Sequence, residues 1–356
     1  MNRTSLRKWL LRLAMVFVAA IFTIMVVNLW WLADAPPGYV KLIAHRGAHQ
    51  LFDHKDLGRD TCTASRIEKP YHLYLENTLA SIDQAKRLGA QMIEVDIAPT
   101  ADGRIALFHD WTLDCRTNGS GEVRSKTLAQ LKALDAGYGY SADGGKTFPF
   151  RDKGVGLIPS LEEALQLAGD KPLLFNFKGK DPAEADLLFA ALKAAGRDSV
   201  KLGDGFYGGG EAGPVARMRK LMPGAWVFSK DSAAACTRAY ALQGWLTITP
   251  DECRGGTLMV PLNRQWAFAG WPNRLQQRLA AVGGRVIVIA PLGGAGGTGL
   301  DLPEQLREVP ASFTGYVWIE DIWTLGPALR PALNKRNPVE EAETAAAIAA
   351  RRAARD

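Results

Sequence analysis

Nine short runs of β-branched and aliphatic residues recur from residue 40 onward, and they limit the possible folds more than any other feature of the sequence. Runs of this length and composition predict β-strands. In the second half of the chain helical segments separate the runs, and this alternation favours a parallel sheet with helices packed around it. The predicted strands lie at or near Val40, Met92, Ile105, Leu173, Val200, Trp226–Ser229, Leu246–Thr249, Val286–Ala290 and Tyr316–Glu320.

The run from Met92 to Ile97 carries two acidic side chains, Glu94 and Asp96. Because side chains alternate between the two faces of a strand, these carboxylates point to the same side. Adjacent carboxylates repel each other unless a cation lies between them, so the pair indicates a site for a hard divalent metal ion. A solvated strand face is the alternative interpretation, and the strongly apolar opposite face argues against it.

Two histidines follow strand-like runs directly: His45 follows Val40 to Ala44, and His109 follows Arg104 to Phe108. A single histidine is more often structural than catalytic. Two histidines that flank a carboxylate pair suit the general acid and the general base of a hydrolytic reaction, because imidazole titrates near neutral pH. Arg46 adds a planar, permanently charged group that suits a phosphate or a carboxylate.

Six short motifs occur around these residues in a fixed order. They are His45-Arg46-Gly47, Glu76-Asn77-Thr78, Glu94-Val95-Asp96, Ala101-Asp102-Gly103, the run from His109 to Asp114, and Thr117-Asn118-Gly119. In this order and spacing they resemble the glycerophosphodiester phosphodiesterase family. The resemblance is dense from Lys41 to Gly121, fainter over 158–165, and thin after Lys178.

This resemblance implies a TIM-type (β/α)8 barrel, one divalent cation, Mg2+ or Ca2+, and cleavage of a phosphodiester that carries a glycerol-like alcohol. It does not assign which histidine is the acid and which the base. The roles it implies are catalysis for His45 and His109, phosphate binding for Arg46 and Lys178, metal binding for Glu94 and Asp96, and support of Arg46 or the metal for Glu76.

Asn176 departs from the family pattern, which usually has a glutamate as third metal ligand two residues before the lysine. An asparagine still offers a carbonyl oxygen, but the site loses one negative charge, so we expect altered metal affinity or selectivity. The strand count also departs from the pattern, because nine runs exceed the eight strands of a barrel. Either 246–249 or the segment joined directly through Asp102-Gly103 is expected to be irregular.

The N-terminal region predicts a membrane anchor. Residues 1–12 carry four basic residues and no acid, and the 21 residues 13–33 carry no charge. This length spans a hydrocarbon core of roughly 30 Å as a helix, and the preceding positive charges place the N-terminus in the cytoplasm. A cleaved signal peptide ending near Ala33-Asp34-Ala35 is the alternative. Either interpretation places the remaining domain outside the cytoplasm, and an uncleaved anchor would hold it at the inner membrane.

The charge balance gives no support for nucleic acid as a partner. The chain has 43 Lys and Arg and 37 Asp and Glu, a net charge of +6, and four of the positive charges lie in residues 1–12. The remainder is too weakly basic for a nucleic-acid surface.

The chain after the predicted anchor is expected to form one barrel domain over 38–337, followed by a helix or tail over 338–356. The sequence does not indicate the oligomeric state.

An insertion over 48–75 separates the first two motifs, where the family usually has a short loop. A long loop at this end of a first strand is expected to lie over the mouth of the barrel. The insertion contains His49, His54 and His72, and we interpret them as solvated loop residues rather than ligands. Glu320 and Asp321 close the last run and are placed to face the same mouth.

All four cysteines follow the predicted anchor. An even count in an oxidising compartment favours two disulfides, because none of the cysteines forms a C-x-x-C pair. Cys236 and Cys253 lie close together in one segment, which leaves Cys62 to pair with Cys115.

The sequence therefore predicts a membrane-anchored, metal-dependent hydrolase of glycerophosphodiesters or related phospholipid headgroups. Its products are expected to be glycerol phosphate and an alcohol. A phospholipase-D-like lyase acting on phospholipids is the enzymatic alternative. A membrane-tethered phosphate-binding protein without turnover is the non-enzymatic one.

Overall fold

The computed structural model describes residues 3–58, 61–294 and 296–355. Its strands are β1 (Lys41–Ala44), β2 (Met92–Pro99), β3 (Ile105–Leu107), β4 (Leu173–Phe177), β5 (Gly205–Gly208), β6 (Trp226–Ser229), β7 (Thr257–Pro261), β8 (Arg285–Ile289) and β9 (Tyr316–Ile319). Its helices are α1 (Arg3–Val27), α2 (Leu79–Arg87), α3 (Leu128–Lys132), α4 (Leu161–Ala168), α5 (Ala183–Ala194), α6 (Ser199–Leu202), α7 (Pro214–Leu221), α8 (Lys230–Gln243), α9 (Asn273–Ala281), α10 (Pro303–Glu308), α11 (Ile322–Leu329) and α12 (Pro338–Ala353).

Eight parallel strands form a nearly closed barrel in the order β6-β5-β4-β2-β1-β9-β8-β7. The barrel is completed at β6 and β7 by side chains, since the indole Nε1 of Trp226 donates to Thr257 Oγ1 over 2.8 Å. The predicted TIM-type barrel is therefore confirmed. The ninth strand, β3, lies outside the barrel and pairs antiparallel with β2. The direct Asp102-Gly103 link is thus the irregularity, since the five residues 100–104 that connect β2 to β3 are too few for the crossover that parallel strands require.

Two strand predictions were wrong, and two strands were missed. Val200 lies in α6, because Asp198 caps that helix by accepting from the backbone N–H of Lys201, and Gly203 ends it in a left-handed conformation. The segment 246–249 is a turn that follows α8 rather than a strand. The missed strands are β5, which begins and ends with a glycine, and β7, which begins immediately after a pair of glycines.

The barrel has an inner and an outer apolar layer. The inner layer fills the barrel and is built from large side chains on alternate strand positions: Ile43, Met92, Leu174, Tyr207, Trp226, Phe228, Ile287 and Trp318. The outer layer lies between the strands and the helices. In α2, for example, Thr78 caps the helix by accepting from Ser81 N, and the helix buries Ile82 and Ala85 against the sheet.

Both predicted disulfides, Cys62–Cys115 and Cys236–Cys253, are present. The first fastens the insertion to the loop that follows His109. The C-terminal helix α12 packs on the domain, because the guanidinium of Arg351 bonds Glu68 in the insertion and Asp321 after β9.

The N-terminal helix α1 stands apart from the barrel. Its segment Ser5–Val27 contains an 18-residue window with a mean hydropathy of 2.6 and is long and apolar enough to cross a membrane, and signal sequences share these properties. Immediately after it, the side chain of Asn28 donates to the backbone carbonyl of Trp245 over 2.9 Å.

Candidate active site

The C-terminal ends of four barrel strands bring the predicted site residues together. His45 and Arg46 follow β1, and Glu94 and Asp96 lie in β2. The β2–β4 register pairs Asp96 with Asn176, so residues that are 80 positions apart become neighbours. Because all eight barrel strands are parallel, their carboxyl ends meet at one mouth, where enzymes of this architecture carry their active sites.

Glu94 and Asp96 are fully buried and held by a ring of donors. The phenol of Tyr207 donates to Glu94 Oε1 over 2.6 Å, and the backbone N–H of Arg46 donates to Oε2 over 2.9 Å. The amide of Asn77 donates to Asp96 Oδ2 over 2.9 Å. Burial and then the charge of Asp96 raise the pKa of Glu94, so the two carboxylates compete for the positive charge around them.

Asn176 and Lys178 cover the other side of Asp96. The Asn176 amide nitrogen donates to Asp96 Oδ1 over 2.7 Å, and Lys178 Nζ lies 3.7 Å from the same oxygen. Burial by itself would raise the pKa of Asp96, but Lys178, His109 and Arg46 together lower it well below its usual range. Asp96 is therefore a stable anion in this surrounding.

Arg46 lies between carboxylates. Its Nη1 donates to Glu76 over 3.0 Å, and its Nε lies 3.5 Å from Asp96 Oδ2. The residue has φ of 53°, and the next residue, Gly47, has φ of 76°. A Cβ at Gly47 would lie 2.5 Å from the Ser81 hydroxyl, so only glycine fits this turn. The turn directs the arginine into the site.

His45 is paired with a carboxylate from the far end of the chain. Its Nδ1 lies 2.5 Å from Glu320 Oε2, just after β9, and β1 and β9 are neighbours in the barrel. Burial would lower the pKa of His45, but the charge of Glu320, that of Glu94 and the hydrogen bond to Glu320 overcome this, so its pKa is raised. The charged imidazolium is therefore favoured.

His109 is paired with the next residue in the chain. Its Nδ1 lies 2.6 Å from Asp110 Oδ1, and Arg116 forms an ion pair of 2.8 Å with the other oxygen of that carboxylate. Burial and then the charge of Arg46 lower the pKa of His109 to about 4. Its imidazole is therefore neutral at neutral pH, and its pKa is shifted in the opposite direction to that of His45.

The insertion takes part in the site, as expected for a loop at the mouth. Thr63 accepts a hydrogen bond of 2.7 Å from Arg116, which also pairs with Glu76 over 3.1 Å. His49 lies against Glu320, with its Nε2 at 3.6 Å from Oε2. The interpretation of His49 and His72 as solvated loop residues was wrong, because the His49 side chain is only 1% exposed and His72 is only 8% exposed.

Three contributors to the site were not identified from the sequence: Tyr207, Arg116 and His49. Tyr207 is separated from Glu94 by 113 positions, and only the order of the strands brings them together. For Arg116 a signal was present, since it directly follows Cys115 in a loop rich in polar residues.

Residues 45–196 match the model of the glycerophosphoryl diester phosphodiesterase family, and this segment contains the two histidines and the carboxylate pair. The chain therefore carries a glycerophosphoryl diester phosphodiesterase family segment over residues 45–196. Glu320 lies outside the matched segment. The family match therefore begins directly after β1, runs through α5, and leaves out β9, which precedes the partner of His45.

Known relatives match the same region of the chain. A glycerophosphodiester phosphodiesterase of Caldanaerobacter subterraneus subsp. tengcongensis is 39% identical over 124 residues, which are 33% of this chain and 47% of the relative. Glycerophosphodiester phosphodiesterase 1 of Rattus norvegicus is 36% identical over 137 residues, which are 38% of either protein. The matches thus span less than half of the length of these relatives.

Solved structures of the family share the fold over most of the chain. The glycerophosphodiester phosphodiesterase of Agrobacterium tumefaciens aligns with a TM-score of 0.53 and 20% identity, covering 81% of this chain and 99% of that one. A phosphodiesterase of Oleispira antarctica aligns with a TM-score of 0.53 and 18% identity, covering 82% and 97%. At these identities the likeness shows the barrel fold.

Members of this family generally use a divalent metal ion, and the donors of Glu94 and Asp96 fit such an ion. Both residues offer only oxygen, which hard cations prefer. Each carboxylate oxygen accepts one short hydrogen bond, so lone pairs remain for a metal. Asn176 fits less well, because it presents its amide nitrogen to Asp96.

Proposed function

We propose that this protein hydrolyses glycerophosphodiesters to glycerol phosphate and an alcohol. The observation that carries the proposal is the pair of imidazoles at one mouth, each bonded through Nδ1 to a carboxylate and with pKa values shifted in opposite directions. Opposed shifts of two titratable groups suit one acid and one base. The Oleispira relative was solved with the product sn-glycerol-3-phosphate, which supports the same substrate class.

His109 is the proposed general base and His45 the proposed general acid. Neutral His109 accepts the proton of the attacking oxygen as that oxygen bonds to phosphorus. Attack by water gives glycerol phosphate directly, whereas attack by a glycerol hydroxyl gives a cyclic phosphate that water then opens to glycerol phosphate. The phosphorus–oxygen bond to the leaving alcohol breaks, and His45 gives its proton to that oxygen. Glu320 and Asp110 hold the two rings through Nδ1, which leaves each Nε2 for the substrate.

Lys178 and Arg46 are the proposed phosphate ligands. The Lys178 side chain is 22% exposed, so its ammonium can meet a phosphoryl oxygen from the mouth. Arg46 is buried and shares its charge between Glu76 and Asp96, which makes it a source of positive potential close to the phosphate. A Mg2+ or Ca2+ ion held by Glu94 and Asp96, with Asn176 as a weak third ligand, would offset charge on the phosphoryl oxygens.

The test is release of glycerol phosphate from glycerophosphocholine and glycerophosphoethanolamine by the purified full chain, with and without chelator. We expect turnover that requires a divalent cation. Formation of a cyclic phosphate from phospholipids, without glycerol phosphate, would instead favour the lyase alternative. Binding of glycerol phosphate without turnover of any diester would favour the non-catalytic one.

We also propose that α1 anchors the domain to the inner membrane, with the N-terminus in the cytoplasm. Beside the apolar helix, exposed Leu242, Leu246 and Ile248 form an apolar surface next to Trp245, whose carbonyl Asn28 contacts. An interfacial position suits such residues where a span leaves the bilayer.

The anchor is tested by recovering the protein from membranes and sequencing its N-terminus. Retention of residues 13–33 in the membrane-bound protein is expected. Release of a shorter chain that begins after Ala35 would contradict an anchor and favour a signal peptide. A fluorophore on Val16→Cys that reports lipid, beside one on exposed Val155→Cys that reports water, would place the helix in the bilayer.

A further inference from the structure

His49 is a buried imidazole to which the proposed reaction gives no role. It comes from the insertion, and the residue is only 3% exposed. Neither of its ring nitrogens has a hydrogen-bond partner among the residues that the structure describes. Buried polar groups are nearly always paired, so an unpaired imidazole beside a carboxylate points to a ligand that completes the site.

Glu320 brings His49 and His45 together. One of its oxygens, Oε1, accepts from the backbone N–H of Gly299 over 2.9 Å. The other, Oε2, faces His45 Nδ1 at 2.5 Å and His49 Nε2 at 3.6 Å. One donor atom from each of the three residues lies within 4.8 Å of the others.

Two imidazoles and a carboxylate are a donor set for zinc and related transition metals, whereas Mg2+ and Ca2+ prefer oxygen alone. Ligands around a tetrahedral zinc ion stand roughly 3.3 Å apart, as follows from bond lengths of about 2.0–2.1 Å. The 3.6 Å between His49 Nε2 and Glu320 Oε2 suits this geometry. His45 Nδ1 lies 2.5 Å from the same oxygen and has to move slightly away from it. The fourth position remains for water.

We propose that His45, His49 and Glu320 form an inhibitory binding site for a transition-metal ion of the zinc class. The inhibitory effect rests on the proposed role of His45 as the general acid. Metal coordination at Nδ1 requires the loss of the proton there, so one proton passes to solvent for each ion bound. A metal-bound imidazole cannot become the imidazolium that protonates the leaving alcohol. The insertion, by supplying His49, would therefore make the enzyme sensitive to zinc.

Isothermal titration of the full-length protein with ZnCl2 tests the site without reference to activity. The variants are His49→Ala and, as matched control, His54→Ala, which removes a histidine of the same insertion from outside the cluster. We expect saturable binding of one ion to the wild-type protein and to the control. Loss of an outer-shell partner typically costs about 10–100-fold in metal affinity, so loss of the ligand His49 is expected to cost at least as much.

Wild-type protein without saturable zinc binding, or His49→Ala with wild-type affinity, would overturn the proposal. If His49→Ala fails to fold by circular dichroism, His49→Gln provides the same comparison with a side chain of similar size. Asp96→Asn separates the two metal sites, because it is expected to weaken Mg2+ or Ca2+ binding and to leave zinc binding intact. Loss of zinc affinity in Asp96→Asn would place the zinc at the carboxylate pair and refute the site proposed here.

Activity assays then test the inhibitory part. Zinc is expected to inhibit hydrolysis of glycerophosphocholine by the wild-type protein, and the concentration for half-inhibition should rise in His49→Ala by the same factor as the dissociation constant. Zinc binding without inhibition would refute the inhibitory role. An inactive wild-type protein that still binds zinc through His49 would refute the proposed hydrolase function and leave the metal site standing.

Discussion

Replacing Glu320 by Gln should change the pH dependence of hydrolysis in one direction only. The substitution keeps the size of the side chain and an oxygen acceptor for His45 Nδ1, and it removes the negative charge that lies 2.5 Å away. Charge centres roughly 4 Å apart interact by about 4 kcal/mol at an effective dielectric constant of about 20, equivalent to about 3 pKa units. Measured effects of a neighbouring charge are about 1–3 units, so we expect a decrease of the His45 pKa in this range.

The sign follows from the role of His45. An acid must be protonated, so activity is lost as pH rises through its pKa, and the raised pKa of His45 in the wild-type protein places this loss at higher pH. Glu320→Gln should therefore move the basic limb of the kcat/KM profile to lower pH by about 1–3 units. At pH values below the His45 pKa of both the wild-type protein and the variant, activity should change much less, because His45 is protonated there in both proteins.

Asp110→Asn is the matched control, because it acts on the other imidazole. His109 Nδ1 donates a hydrogen bond to Asp110, and this bond opposes the lowering of the His109 pKa that burial and Arg46 cause. Without the carboxylate, the pKa of His109 should fall further. This variant should move the acidic limb to lower pH and leave the basic limb in place. An unchanged basic limb in Glu320→Gln, with the protein folded, would refute the assignment of His45 as the acid and of Glu320 as the residue that positions it.

Three further results are expected. His45→Ala and His109→Ala should each lower turnover by about 10²–10⁴-fold with unchanged circular dichroism, as expected for general acid and base groups, and near-wild-type turnover would remove that histidine from the mechanism. Asn176→Glu should tighten Mg2+ or Ca2+ binding in isothermal titration, because it adds a negative charge to an oxygen site; unchanged binding would argue against an ion at Asp96. Removing Cys62–Cys115, which closes 53 residues, should lower the unfolding free energy in urea by about 4 kcal/mol, and a much smaller loss would mean that the insertion is already constrained in the unfolded chain.

The strands with continuous β-branched or aliphatic runs could be predicted from the sequence, because burial on both faces requires such runs in a parallel barrel. Strand β5 could not, because it consists of Gly205-Phe206-Tyr207-Gly208. A Cβ at Gly205 would lie 2.6 Å from Leu174 Cδ1, so packing against β4 requires glycine at this position. Glycine weakens the local preference for a strand, and the sequence therefore gives no strand signal here. The nearby Val200 was wrongly assigned to a strand, because the signal for its helix is the N-cap residue Asp198 and not the pattern of apolar residues.

The candidate site could be predicted where its residues share a local motif. His45 with Arg46, and Glu94 with Asp96, are close in the chain and stand at strand ends, so spacing alone brings each pair together. The partner of His45 lies 275 positions away and becomes its neighbour only because β9 pairs with β1 when the barrel closes. Sequence spacing carries no information on such a contact, and this explains why Glu320 could be placed at the mouth but not assigned to a histidine.

The charges around Asp96 explain why the substitution by asparagine at position 176 is compatible with this fold. The Asn176 amide donates to Asp96 over 2.7 Å, and a carboxylate in its place would bring a second negative charge to the same distance. Two buried carboxylates in such contact require a cation, whereas an amide and a carboxylate satisfy each other. Lys178 adds a positive charge at 3.7 Å. The site is thus electrostatically compatible with folding before any ion binds, and we expect the affinity for the ion to be the property that the asparagine lowers.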